Sequence, residues 1–559
     1  MPDRARTALL DLTTLAVCLM GFLGLIAIFS AMKAGTPGVP RVLYLLFLAM
    51  VCAPFLSAFW RVPKAPFLLA PVVAMFLLYP IGAPHGIVYG RDPIFNFAFT
   101  DSVTKTGFWQ PGGVSGLADT YSLYPLGNVF QAYILRTTKW PAEVAFLWIE
   151  CVVRMLVIPP AVYAIGRRVF GVQVGVLSLF IYMGTASILM NVPVQQGVGT
   201  IFIALSLLTL LILNETRAGP ARRVTKILFA LVAGAIVLTH HLSSYIFAGW
   251  LVGLWLVTNW DALRRRALSF RLSPLTLYFL GLLGLYIVTV TYPIFLVHEE
   301  SFSIVVQRLS SPESLPSTAT PGLGRTFTPI ERVWLAGAVL GILGIAWRGV
   351  LIYRRSRLHA FAVANAIVAV ILAFATIPLL ATGAEFVPLR IGEYSNFFVG
   401  PFVAATLFRR ARPGPGRWAR FMPPSVATSI ERASNWTPVG AAVLVSALLF
   451  MGGNLAPQAL RLYFDDPSQW NTDTALLFGS DSLRVANWGN TYFDASRVWG
   501  DHLSIDIFSG FGDARVYFGS SYIFKNLTSP SPTRRWASSP WTPISPPSTR
   551  TGPSRSIGS

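Results

Sequence analysis

"PFLLAPVVAMFLLYPIGAPHGIVYGRDPIFNFAFTDSV", residues 66–103, records a change of solvent. Its first half is an apolar run without a charge, and its second half carries Arg91, Asp92 and Asp101. The apolar part is long enough to enter a hydrocarbon layer, and the polar part opens the first long stretch that must lie outside one. Working outward, the same alternation recurs along the chain. Apolar runs of roughly 17–25 residues predict about thirteen spans, the first centred near Ala27 and the last near Val445. The first run follows "MPDRAR" and has no small-residue cleavage site behind it, so it is expected to remain as a span.

Composition agrees. Of 559 residues, 54% are hydrophobic and 12% charged, and the mean hydropathy is +0.58, which leaves too few charges to coat a soluble globule of this size. The net charge of +20 comes from short clusters between apolar runs, such as "RAGPARRVTK", "RRRALSFR" and "RRARPGPGR". That is the pattern of cytoplasmic loops and not a single basic face, so no nucleic-acid partner is expected. Cys18, Cys52 and Cys151 all fall inside apolar runs and read as small core hydrophobes.

Orientation follows from the same clusters. The N-terminus is expected in the cytoplasm and the C-terminus outside, in a plasma-membrane protein. Residues about 85–141, "NVPVQQG", "THHLSSY", "TGAEFVPLRIGEY" and everything after about 454 then share the outer face. The domain plan is two N-terminal spans over 1–65, a transmembrane core over 66–454 with the outer loop 85–141, a small outer domain of β or α/β type over 455–525, and a disordered tail over 526–559. The outer domain draws on strand-like alternation in "RVWGDHLSIDIF", and the tail on its Ser, Thr, Pro and Arg content.

Most of the unusual polar residues fall on that outer face. If "DPIFNFAFTDSVTK" is helical, 100° per residue puts Asn96, Phe99 and Val103 on the side of Asp92 and turns Asp101 about 180° away. The two acids are therefore not an acid and base facing one gap. Asp101 has Lys105 four residues on as an ordinary helix pair. Asp92 reads either as an N-terminal cap before Pro93 or as a carboxylate able to take a proton or hold a cation.

Further on, "DTYSLYPLGNVFQAYIL" predicts a short amphipathic helix opened by Pro125, with Tyr121 and Tyr124 at headgroup depth. In "THHLSSY", His240 and His241 sit at a span boundary. Adjacent helical histidines diverge, so hydrogen bonding to a phosphate or sugar hydroxyl suits them better than a shared metal. In "EFVPLRIGEY", Arg390 enters a span from the outer side against the charge bias, beside Glu393 and Tyr394. It is read as a phosphate grip or as an ion pair with Glu393. Glu150 and Arg154, four apart inside one span, read first as a buried pair.

An acidic residue just outside an early span, a first large outer loop of amphipathic helices with "YP" near its middle, short-looped spans after it and an outer C-terminal domain together resemble the GT-C superfamily of membrane glycosyltransferases. The resemblance covers roughly residues 66–454. It implies an all-α polytopic fold, transfer of a sugar with inversion from a polyprenyl-phosphate or polyprenyl-diphosphate donor, and an acceptor on protein or glycan that the sequence does not name. It makes Asp92 the catalytic base or metal ligand. Arg390, His240 and His241 would hold the donor phosphate, with Glu393, Tyr394, Tyr124 and Asn96 completing the substrate site.

Asn96 stands where family members often carry a second acid or a His, and the second outer loop offers Gln195 and Gln196 in place of acids. A divalent cation such as Mg or Mn is thus left undetermined. No "WWDYG" occurs, which argues against an oligosaccharyltransferase proper. Two other readings stay open: a transporter or flippase for a lipid-linked saccharide, and a non-enzymatic envelope assembly subunit.

Overall fold

The computed structural model describes residues 3–33, 41–57, 65–82, 91–109, 122–184, 194–259 and 273–292, with isolated residues and short runs at 340, 344, 361, 363–368, 370–372, 394, 397, 400–405, 498–500 and 516–518. The helices are α1 (Asp3–Lys33), α2 (Arg41–Val51), α3 (Ala53–Leu56), α4 (Ala65–Gly82), α5 (Arg91–Thr106), α6 (Leu126–Thr138), α7 (Ala142–Phe170), α8 (Val172–Gly184), α9 (Gln195–Glu215), α10 (Pro220–Val237), α11 (His241–Thr258) and α12 (Pro274–Tyr286). A π-helical turn, Ile287–Thr291, continues α12.

Among the described residues, five segments are long and apolar enough to cross a membrane: Ala8–Ala31, Ala145–Phe170, Gln195–Glu215, His241–Thr258 and Pro274–Thr291. The protein is an integral membrane protein. The expected thirteen spans are not all of this kind among the described residues. Near Val73 and Leu179 the apolar helices are shorter, Phe67–Leu78 and Val172–Met183. Near Leu48, α2 has 11 residues, and near Val232, α10 opens with Arg222, Arg223 and Lys226. The expected spans near Val339 and Val445 lie outside the described residues.

Close packing depends on missing side chains. A Cβ on Gly24 would fall 2.6 Å from the Phe47 ring, so α1 and α2 meet at a glycine. A Cβ on Gly175 would fall 2.8 Å from Tyr163 O, so α7 and α8 cross at another, just beyond the turn at Gly171 (φ 102°). Leucines on the other face of α1 (Leu9, Leu12, Leu23) stay exposed, the expected state of a helix face turned to lipid.

The two ends of the bundle differ in chemistry. At the end formed by the C-termini of α7 and α9, Arg168 pairs with Glu215. There the Arg222 guanidinium donates to Leu213 O (3.0 Å) and Thr216 O (2.8 Å), which serves the open carbonyls of α9. The opposite end, where α7, α9 and α11 begin, carries amides, tyrosines and histidines. In the C-terminal region, β1 (Val498–Gly500) pairs in parallel with β2 (Val516–Phe518), Val498 opposite Val516. β1 falls in the stretch expected to alternate, while the rest of the expected 455–525 domain and the 526–559 tail lie outside the described residues.

Candidate functional site

α5 turns the face read from its sequence into the protein. Asn96, Phe99 and Val103 are 1%, 1% and 6% exposed, and Thr100 extends the face at the i+4 position from Asn96. Asp101, on the other side, pairs with Lys105 at 2.6 Å with both side chains partly in solvent. Asp92 stands in the first turn of α5. Arg390 and Glu393 lie outside the described residues.

α6 supplies the other half of a buried polar layer. It begins directly after Pro125, ends at Lys139 in the left-handed conformation (φ 58°), and presents Asn128, Gln131, Ala132 and Leu135 inward while Phe130 and Tyr133 face out. This is the amphipathic helix expected after "YP", but its inner stripe holds two amides. They join a chain of hydrogen bonds with one direction throughout. The Gln195 amide donates to Asn128 Oδ1 (3.0 Å), Asn128 Nδ2 to Thr100 Oγ1 (3.0 Å), the Thr100 hydroxyl to Gln131 Oε1 (3.3 Å), and Gln131 Nε2 to Glu150 Oε2 (3.2 Å). Asn128 also donates to Asn96 O at 2.9 Å.

Within the four-bond chain, each donor thus points toward one carboxylate. Polarised in series and shielded from water, such bonds strengthen one another. Four helices, α5, α6, α7 and α9, are tied together by the set, and a narrow crevice runs between Asn96, Asn128, Gln131, Glu150 and Gln195. Glu150 and Arg154 are 3% and 0% exposed. A Cβ on Gly197 would collide with Glu150 Oε1 and lie 2.8 Å from Arg154 Nη1, so α9 closes over both charges at a glycine.

A second cluster adjoins the first through Tyr124. Gln195 Nε2 donates to Tyr124 O at 2.9 Å, and the Tyr124 ring lies 5.5 Å from His241 and 6.1 Å from Tyr286. Tyr124 is 3% exposed, so it is a packed wall of the site and not the headgroup-level lip expected from sequence. Burial holds its phenol protonated well above the usual range. The turn that carries it is pinned by Tyr286 Oη donating to Leu123 O at 2.7 Å.

The histidine pair also departs from expectation. His240 is not helical but the extended N-cap of α11 (φ −164°, ψ 129°), so the two imidazoles do not diverge, and their centroids lie 4.6 Å apart. Ser243 Oγ lies 3.1 Å from His240 Nδ1 and 2.6 Å from Tyr394 Oη, and Tyr394 Oη lies 3.3 Å from the same nitrogen. Tyr394 is fully buried and so braces His240. That juxtaposition joins "THHLSSY" to "RIGEY", the two stretches the topology expects at one face.

Asn128, Gln131 and Thr100 were not singled out by sequence reasoning. Their signal was there: polar residues at helical spacing on faces otherwise made of Phe, Ala and Leu.

No known family's sequence pattern matches the chain, and no curated protein matches it. Solved structures do. The chain is similar to ArnT from Cupriavidus metallidurans bound to undecaprenyl phosphate, at 13% identity and TM-score 0.45, over 83% of this chain and 88% of that one. It is also similar to the oligosaccharyltransferase AglB from Archaeoglobus fulgidus in complex with an inhibitory peptide and a dolichol-phosphate, at 13% identity and TM-score 0.47. There it covers 83% of this chain and 64% of the other. A likeness of this degree transfers no residue role.

Proposed function

We propose that the protein is a GT-C-type membrane glycosyltransferase, moving a sugar from a polyprenyl-phosphate-linked donor to an acceptor on the extracytoplasmic face of the plasma membrane. The observation that carries this reading is the joining of two clusters at one end of a membrane bundle. α5, with Asp92 in its first turn, is keyed by Asn96 and Thr100 into the layer that continues through Tyr124 to His240 and His241. A carboxylate, amides and imidazoles at a membrane boundary suit a substrate whose tail stays in lipid while its head meets a polar acceptor.

In the proposed step, Asp92 takes the proton of an acceptor hydroxyl as that oxygen attacks the anomeric carbon. The bond from that carbon to the lipid phosphate breaks, and the phosphate leaves with the electron pair. His240, His241 and Arg390 are assigned to the phosphate, where donors meet the charge that develops on leaving. The described polar groups beside α5 are amides bonded to one another and to the single carboxylate of Glu150. They do not form the carboxylate-rich oxygen set that a hard divalent cation prefers, and the step uses none. A saccharide transporter would use Glu150 and Arg154 as part of a path, whereas both lie closed in against Gly197.

The test is to incubate the purified protein with radiolabelled polyprenyl-phosphate sugars and candidate acceptors. Transfer by the wild type that is lost in Asp92→Asn is the expected result. Equal transfer by the variant would remove Asp92 from the mechanism.

A further inference from the structure

The environment of His240 decides which of its nitrogens carries the proton. Nδ1 faces the backbone N–H of Ser243 at 3.4 Å, the Ser243 hydroxyl at 3.1 Å and the Tyr394 hydroxyl at 3.3 Å. Hydroxyls can donate or accept, but a backbone N–H only donates. A proton on Nδ1 would therefore point N–H at N–H, at the positive end of the 18-residue helix α11. With Nδ1 bare, the bonds fall into order. One hydroxyl proton goes to Nδ1 and the other bridges Ser243 Oγ and Tyr394 Oη, which lie 2.6 Å apart. Ser243 and Tyr394 are both fully buried, so these hydroxyls settle their bonds within the protein.

The close approach is built in from a third helix. A Cβ on Gly199 of α9 would collide with Ser243 Oγ and lie 3.3 Å from His240 Cβ, so the cluster fits only against a glycine.

We propose that Ser243 and Tyr394 are positioning residues that hold His240 as the neutral tautomer protonated on Nε2. His240 then acts through Nε2 as a hydrogen-bond donor and cannot serve as a base at that atom. Within the transfer reaction proposed above, on which this consequence rests, His240 is confined to holding an oxygen, and proton removal stays with Asp92.

The experiment reads the ring itself and needs no substrate. The full-length protein, labelled with ¹⁵N-histidine in nanodiscs at pH 7, gives nitrogen signals for its six histidines. The one lost in His240→Asn, or in His240→Gln if the first variant does not fold, belongs to His240. The expected signal is that of a neutral ring with Nδ1 bare and Nε2 protonated. A ring protonated on Nδ1, or on both nitrogens, would overturn the proposal. In Ser243→Ala/Tyr394→Phe the His240 signal should broaden or split into two tautomers, and an unchanged single tautomer would remove the positioning role from the two hydroxyls. Because the spectrum is taken without donor or acceptor, its outcome is separate from whether the protein transfers sugar.

Discussion

At residue scale, the weight of each acid follows from its surroundings. Asp101 and Lys105 form an exposed pair, and such pairs contribute about 0–1 kcal/mol. Asp101→Asn should leave thermal stability and transfer close to wild type, and so serves as the control for Asp92→Asn. Glu150 is different, since the directed chain from Gln195 ends on its carboxylate inside a span. Gln131→Leu takes one hydrogen bond from Glu150 Oε2 and one from the Thr100 hydroxyl, and losing such bonds costs about 0.5–1.5 kcal/mol between neutral groups and about 1.5–3 kcal/mol where one is charged. A lowered unfolding midpoint in detergent, with loss of transfer through displacement of α5, is the expected outcome. A variant as stable and as active as wild type would show that the chain holds nothing in place.

Around the site, contact between helices depends on glycines, and sequence alone does not distinguish these from other glycines in apolar runs. Gly197 lies under Glu150 and Arg154, Gly199 under Ser243, and Gly127 against Val198. Gly199→Ala should force α9 from α11, since the colliding atom is the Ser243 hydroxyl held by Tyr394. Overpacking of this sort costs about 1–3 kcal/mol. Differential scanning fluorimetry should show a lower midpoint for Gly199→Ala, whereas Gly249→Ala, where an added methyl meets nothing within 4 Å, should not. The amphipathic character of α6 and the inward face of α5 were legible in sequence, because a helical period sorts residues by side without knowledge of partners. That the inward side of α6 meets Thr100 and Glu150 was not legible, because periodicity says which residues share a face and not what the face meets.

For the whole molecule, the arginine-bearing end and the histidine-bearing end of the bundle are opposite, and the charge bias predicts that the arginine end faces the cytoplasm. Single cysteines at exposed Lys139 and Arg217 test this, because the native Cys18, Cys52 and Cys151 are buried and should stay unlabelled in the folded protein. A membrane-impermeant maleimide should label Lys139→Cys in intact cells and Arg217→Cys only after permeabilisation. The reverse pattern would invert the orientation and the proposed outer site with it. Composition, apolar run length and helical phase by themselves determined a membrane protein, the inward turn of Asn96 and the outward turn of Asp101, because hydrophobic transfer and the 100° step are local properties of the chain. Tertiary structure decided what those faces touch. Tyr124 became a buried wall, His240 became an extended cap with its ring close against its neighbour's, and Tyr394 met Ser243 from 151 positions away. Hydrogen bonds between distant segments are fixed only when helices pack to within a few ångströms, and no spacing in the chain encodes that approach.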